Sequence, residues 1–330
     1  MSDTDPLAPT VADSPLPDHG WTFLEDRVVV RVSGPGTDKF LQGQFSQSLN
    51  EVVEGRSPRA AAATPKGRAY CLTRMVRTDA DVLMDFPADL ADDDIVHLRK
   101  YLMLFRGTSM EAAADIRIVG ILGNPLPQSL AGDQFDQLVK PGDSVTLDNG
   151  ILIRSEPTAE GCPRFEFWQT GADAPALTPE LRIPAADWQA SEIAAGVARL
   201  TPATRESFVP QMLNWQHVGG VHFKKGCYTG QEVIARMHFL GQLKKSLFRF
   251  RMEGTSAPEP GSALRTAERA VGEVVTSIVY TDGSCELLAV VRHDSAEESL
   301  HPEAQPEITL RPMPLPYPVP EREKSAQSDT

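Results

Sequence analysis

The chain has 330 residues, 41% hydrophobic and 23% charged, with a formal net charge of −13 and a pI near 5.0. That length exceeds what one hydrophobic core usually holds and predicts two or three domains in a globular protein. The negative charge argues against general binding to nucleic acid or another polyanion, and no apolar run of about 18 residues offers a membrane span.

Residues 1–19 are acidic and proline-rich. They have neither a basic n-region nor an arginine-rich amphipathic pattern, so they read as a disordered tail without an export or transit signal, and the expected location is the cytoplasm. Residues 27–32 alternate Val28, Val30 and Val32 on one face and stop at Ser33-Gly34-Pro35-Gly36, which predicts a strand and turn. A helix is predicted over 37–47, with Phe40, Leu41 and Phe45 inward; Gln44 on it is either a loop hydrogen-bonder or a polar group lining a cavity. Pro65-Lys66-Gly67-Arg68 reads as a turn between an alanine-rich stretch and a strand over 69–77, which returns through 82–86 as a hairpin. From 90 to 105, Ile95, Leu98, Leu102 and Phe105 keep helical spacing, with acids at the start and Arg99, Lys100 and Arg106 at the end, an order that suits the helix dipole. Tyr70 and Tyr101 are expected in the core.

Strands follow at 116–122, 151–154 and 164–168, and Asp187 is expected to cap a short helix that ends at Gly196. Strands and helices mix without a βαβ period, so the fold class is α+β rather than a doubly wound sheet. Beyond 241, predicted strands at 247–252, 271–280, 285–292 and 307–311, punctuated by glycine turns, suggest a small antiparallel barrel. Five prolines within 312–320 then exclude interior strand or helix, and the end of the chain reads as disordered. Cys71, Cys162, Cys227 and Cys285 form no CxxC pair, which predicts single thiols rather than a disulfide framework, a metal site or a cluster site.

The densest chemistry lies in Phe223-Lys224-Lys225-Gly226-Cys227-Tyr228-Thr229-Gly230-Gln231-Glu232-Val233-Ile234-Ala235-Arg236. Thr229 and Glu232 have capping-box spacing, Tyr228 and Val233 can form a hydrophobic staple, and Val233, Ile234, Met237 and Leu240 keep helical spacing before Gly241. Cys227 would then stand just before a helix N-terminus with Lys224 and Lys225 behind it, an electropositive setting that favours a thiolate. The alternative is a small buried cysteine closing a tight loop. Between 222 and 251 seven cations face one acid, Glu232, a local excess that can attract an anionic ligand; Arg249 and Arg251 within it read as a solvated strand edge.

The run Lys-Lys-Gly-Cys-Tyr-Thr-Gly-Gln-Glu-Val-Ile-Ala-Arg resembles the signature of the YgfZ-type folate-binding proteins, relatives of the aminomethyltransferase (T-protein) of the glycine cleavage system. Phe208-Val209-Pro210-Gln211, Leu41-Gln42-Gly43-Gln44, the Lys66-Gly67-Arg68 turn and Trp188-x-x-x-x-Ile193-x-x-Gly196 resemble the same family. The resemblance implies two mixed α/β domains around a cavity plus a C-terminal antiparallel barrel. The expected bounds are 21–52 with 117–240 for a discontinuous folate-binding-like domain, 53–116 for the second, 241–316 for the barrel, and 317–330 for a disordered tail. It also implies tetrahydrofolate as ligand, and a role in assembly, maintenance or repair of iron-sulfur clusters with client enzymes or cluster assembly proteins as partners, in support of tRNA modification and under oxidative stress. Direct nucleic-acid contact is not expected.

Under that resemblance Cys227 and Lys225 are the candidate reacting groups. Trp188, Arg27, Gln44, Lys66, Arg68, Lys225, Gly226, Tyr228, Gln231 and Arg236 are the candidate ligand contacts, Trp188 for the pterin and Lys225 and Arg236 for anionic groups. Arg27 stands where the family carries a second tryptophan. A folate-dependent one-carbon transferase and a module that binds no small ligand are the other readings open at this point.

Overall fold

The computed structural model describes residues 11–170, 177–239 and 243–319. Three sheets organise them. The first has the spatial order Arg59–Ala63, Ala69–Thr78, Asp81–Pro87, Arg27–Ser33, Ser109–Ala112, every pairing antiparallel. Both of its faces are covered. Val30 and Val32 join the core formed with helix α1 (Thr37–Gln44) and helix α2 (Ala91–Leu102), while Val29 turns to a different cluster shared with Trp168 and Trp188.

The second sheet, also antiparallel, runs Gly20–Phe23, Arg117–Leu122, Arg164–Gln169, Gly150–Ser155, Ser144–Leu147. Helix α3 (Pro125–Ala131) leads into it, and helix α4 (Ala185–Ala194) lies between it and the C-terminal sheet. That third sheet has seven strands around Ala270–Tyr280, Ser284–Arg292 and Lys245–Glu253. It is open at His301–Pro302 and Arg311–Met313 and so forms a half-barrel. The α+β class and the C-terminal antiparallel unit thus match the expectation. No helix of the described residues is long and apolar enough to cross a membrane.

Several local expectations are corrected. Residues 11–19 are not loose: Val11–Ala12 pairs in parallel with Val279 and Tyr280, and the Asp13 amide donates to Asp187 Oδ1 at 2.7 Å. Asp187 is therefore engaged with this arm and not with its own helix, whose N-terminal flank is Pro184. At the other end, Tyr317 stacks on His217 at 5.2 Å and donates its hydroxyl proton to the Gly196 carbonyl, so the ordered chain runs past 317. Residues 1–10 and 320–330 of the expected tails, and Leu240 and Gly241 of the helix stop, lie outside the described residues. Strand Arg27–Ser33 and α1 share the sheet and the core of 59–112.

The alanine-rich stretch is itself a strand, Arg59–Ala63, despite the low strand preference of alanine. Ala60 and Ala62 enter one core and Ala61 and Ala63 another, so burial on both faces holds the stretch as a strand. Arg249 is not at a solvated edge. Its strand lies inside the C-terminal sheet, and its buried guanidinium holds Glu286 at 2.7 Å and Glu160 at 2.6 Å.

Candidate functional site

The signature loop is built on the C-terminal end of α1. Lys225 Nζ donates to the carbonyls of Gln42 at 2.7 Å and Phe45 at 2.5 Å, two acceptors that a helix end leaves without backbone partners. It also sits 4.7 Å from the centroid of the Tyr228 ring. The Thr229 amide donates to the Gly43 carbonyl at 3.0 Å, and its hydroxyl lies 3.3 Å from Gln44 Oε1. Upstream, the His222 amide donates to the Ser46 carbonyl, Ser46 Oγ to the Gly220 carbonyl at 2.5 Å, and Gln47 Nε2 to the Gly219 carbonyl at 2.8 Å. Residues 42–49 and 219–229 are thus one hydrogen-bonded unit.

This geometry changes three readings. Lys225 is buried with its ammonium turned onto α1, and burial lowers that ammonium to about 7. Helix α5 (Gln231–Phe239) begins at Gln231, one residue too late for Thr229 to be its cap; the Thr229 hydroxyl donates to Gln44 Oε1 on α1, and Glu232 is exposed. Cys227 is exposed and is not a buried loop filler. Gln44 contributes the loop hydrogen bond. Gln231 Nε2 reaches back to the Lys225 carbonyl at 3.4 Å, and Tyr228 packs into the large core shared by the first and third sheets. Gly226 is exposed and an added Cβ would meet nothing within 4 Å.

The Lys66–Arg68 turn joins the same site through two glycines. Gly67 (φ +74) would place a Cβ 2.7 Å from Val233 Cβ, and Gly230 (φ +83) would place one 2.7 Å from the Thr64 carbonyl oxygen and 3.3 Å from Gly67 Cα. Only glycine allows this approach at these left-handed conformations. Lys66, Arg68 and Arg236 are exposed around it.

Trp188 and Arg27 lie elsewhere, in a buried charged cluster where the first two sheets and α4 meet. Four cations, Arg27, Arg59, Arg74 and Arg164, face four acids, Asp85, Glu156, Glu166 and Glu192. Arg59 holds Glu156 at 2.7 Å, Arg74 holds Glu166 at 3.0 Å, and Arg27 holds Glu192 at 2.5 Å and also pairs with Asp85. Burial alone would raise the Glu166 carboxyl, but Arg74, Arg59 and Arg27 outweigh it and hold it well below its ordinary range. Asp85 goes the other way, raised by burial against the pull of Arg27. Arg164, with its charge furthest from an acid, is lowered by burial to about 10.

The Trp188 ring is 1% exposed, covered by the Arg164 guanidinium at 4.2 Å and pressed so close to Gly120 that a Cβ there would stand 2.6 Å from Cδ2. It does not present an open stacking face, and Arg27 is committed to two carboxylates. The cluster itself went unread in the sequence. Its signal was a charge inside an apolar strand: Arg74 in Ala69–Thr78, Asp85 in Asp81–Pro87, Glu166 in Arg164–Gln169.

No family model matches the chain. It is 30% identical to the tRNA-modifying protein YgfZ of Escherichia coli O45:K1 over 305 residues, covering 89% of this chain and 92% of that one. It is 29% identical to the protein of the same name from Klebsiella pneumoniae over 304 residues, covering 89% and 91%. In structure it resembles the glycine cleavage system aminomethyltransferase T of Bartonella henselae, with a TM-score of 0.70 and 15% identity over 93% of this chain and 87% of that one, a likeness of fold. With a relative 30% identical and aligned over 89% of this chain and 92% of its own length, the chain belongs to the family of tRNA-modifying protein YgfZ.

Proposed function

We propose that the protein binds tetrahydrofolate and acts as an accessory factor in the assembly, maintenance or repair of iron-sulfur clusters in client enzymes, with Cys227 as its reacting thiol. The observation that carries the reading is an exposed cysteine on a loop whose other members are tied down: Lys225 and Thr229 to α1, and Tyr228 to the core. A thiol held this way can meet a partner without local rearrangement. The name of the relatives, tRNA-modifying, fits a chain of net charge −13 best if the modification is performed by the client enzymes and not by direct RNA contact.

The fold, like that of an aminomethyltransferase, supports the folate. So do buried polar atoms that lack a hydrogen-bond partner: the Nε1 donors of Trp188 and Trp215 and the amide oxygens of Gln211 and Asn214. Buried orphans of this kind are uncommon, and a mixture of donors and acceptors is what the edge of a pteridine would satisfy. With its ring already covered, Trp188 would offer its N–H, while Lys66 and Arg68 are the candidates for the carboxylates of the glutamyl end. A reduced folate, when bound, carries one-carbon units. The transferase reading needs a free carboxylate, and the four buried acids of the cluster all face arginines, which favours the accessory role.

The test is rescue. The gene is deleted in its own host, wild type or Cys227→Ser is restored at equal abundance, and a [4Fe-4S] enzyme is assayed in the extract, with tetrahydrofolate measured on the purified protein. Wild type is expected to restore activity and to retain folate, and the serine form to fail. An iron-sulfur enzyme indifferent to the deletion would overturn the cluster role, and full rescue by Cys227→Ser would remove the thiol.

A further inference from the structure

The interlock of Gly67 with Val233 and of Gly230 with Thr64 brings together cations that are distant in sequence. Lys66 and Arg68 on the turn, Lys224 on the loop and Arg236 on α5 are all exposed, as are Gly226 and Cys227, which follow Lys224 and Lys225 on the loop. Among the described residues none of Lys66, Lys224 and Arg236 has an ion-pair partner, and the Arg68 guanidinium donates to the Ser207 carbonyl, with Glu273 close enough to feel its charge. Glu232 is the one acid between 222 and 239. The rest of the surface must carry the balance of a −13 chain. Unpaired cations gathered at one place in an acidic protein create a local field of opposite sign that steers an acidic partner to that place.

The patch also has an apolar border. Phe223 stacks on His238 at 3.6 Å, and Phe239, one residue further, is 65% exposed within 6.4 Å of Phe223. An exposed aromatic beside a charged rim is the usual composition of a protein interface.

We propose that this face is a docking surface for the acidic surface of a partner protein, which seats an apolar side chain on Phe239 and so lies over Cys227. The surface takes a polypeptide in preference to RNA, because only a few cations are available and the whole chain repels a polyanion. The proposal rests on the reading of Cys227 as the reacting thiol only for the chemistry after docking; the docking itself does not use the thiol.

The test uses the full chain and a fluorescent synthetic peptide of alternating Asp and Glu around one central Leu, with a Leu→Ser peptide and bulk tRNA as further probes, followed by anisotropy. Wild type and Cys227→Ser are expected to bind the Leu peptide equally, about tenfold more weakly at 300 mM than at 50 mM KCl as the ion pairs are screened. Lys66→Glu/Arg236→Glu, whose positions are exposed and whose melting should match wild type, is expected to lose at least about tenfold, the loss of roughly 1.4 kcal/mol. Phe239→Ala should weaken the Leu peptide and leave the Ser peptide unchanged. Equal binding by the charge-reversed protein, or no binding by wild type, overturns the surface. So does tighter binding of tRNA that is lost in the same variant, which would make the face an RNA site. A Cys227→Ser protein that docks normally yet fails in rescue keeps surface and thiol separate, whereas failure to dock with rescue still dependent on Cys227 removes the surface alone.

Discussion

Arg27→Met tests the buried charged cluster, and through it the nature of the region between the first two sheets. Methionine keeps an apolar stem of similar length, so the change removes chiefly the guanidinium. Asp85 then keeps the Arg74 amide at 2.6 Å but loses its closest cation, and Glu192 keeps only Arg164 at 3.9 Å. Four acids face three cations, and one negative charge is stranded among side chains no more than 10% exposed. Breaking a buried pair by removing one partner costs about 3–5 kcal/mol, a midpoint shift of about 1–2 M in urea for a slope near 3 kcal/mol per M. The sign with pH is set by Asp85, which burial already raises. Without Arg27 it rises further, so the folded variant favours the protonated acid; its stability is retained below the ordinary carboxylate range and lost as pH rises through the raised folded value. The deficit against wild type should therefore deepen as pH rises above the ordinary carboxylate range. Arg27→Met/Glu192→Gln restores three against three and should recover part of the loss. The assay is urea unfolding followed by fluorescence, since Trp168 and Trp188 stand in the adjoining core. A single-variant cost below about 1 kcal/mol that does not change with pH would refute the reasoning, because water would then reach the cluster freely.

Gly230→Ala should cost about 2–4 kcal/mol, from the left-handed conformation and the displaced Thr64 carbonyl, and should speed hydrogen exchange at the Gly67 amide, which donates to Thr64. Gly226→Ala, with nothing within 4 Å of the new methyl, should lie within about 0.5 kcal/mol of wild type, and a large effect there would show that the loop packs differently. Lys225→Met leaves the Gln42 and Phe45 carbonyls without their donor and should cost about 1–3 kcal/mol near neutral pH. Burial lowers that ammonium to about 7, so above pH 7 the folded protein gives up a proton that the unfolded chain still holds. Wild type should gain up to about 1.4 kcal/mol per pH unit relative to the variant from pH 7.5 to 9.5, and parallel unfolding midpoints across that range would show the lysine still charged in the fold.

Long periodic elements were legible because their patterns are local. The alternation of Val28, Val30 and Val32, the apolar spacing of Ile95, Leu98 and Leu102, and the order of charges along α2 each need only a few neighbours to be read, and all reappear in the structure. The signature loop could be read as one unit because its residues are contiguous. What Lys225 and Thr229 touch was not, because their partners on α1 lie about 185 residues away along the chain. Thr229 and Glu232 show the limit of spacing arguments: the capping-box interval is present, but the helix begins one residue later, at Gln231, and the threonine hydroxyl donates to Gln44 on α1 instead.

The charged cluster was hidden for a related reason. Each of its members is one charge in one segment, and the pairing of Arg27 with Glu192, or of Arg74 with Glu166, exists only once two sheets are brought face to face. Strand Arg59–Ala63 shows how the two sites are connected. Arg59 puts its guanidinium into the cluster against Glu156, while its carbonyl accepts from Gln47, which also donates to Gly219 at the base of the Cys227 loop. The alanines that follow pack on two cores at once, and Ala63 meets Gly230. A strand so constrained cannot shift on one side without shifting on the other. A change in the charge balance of the cluster should therefore be felt at the loop that presents Cys227, even though no charged residue of the cluster touches the thiol.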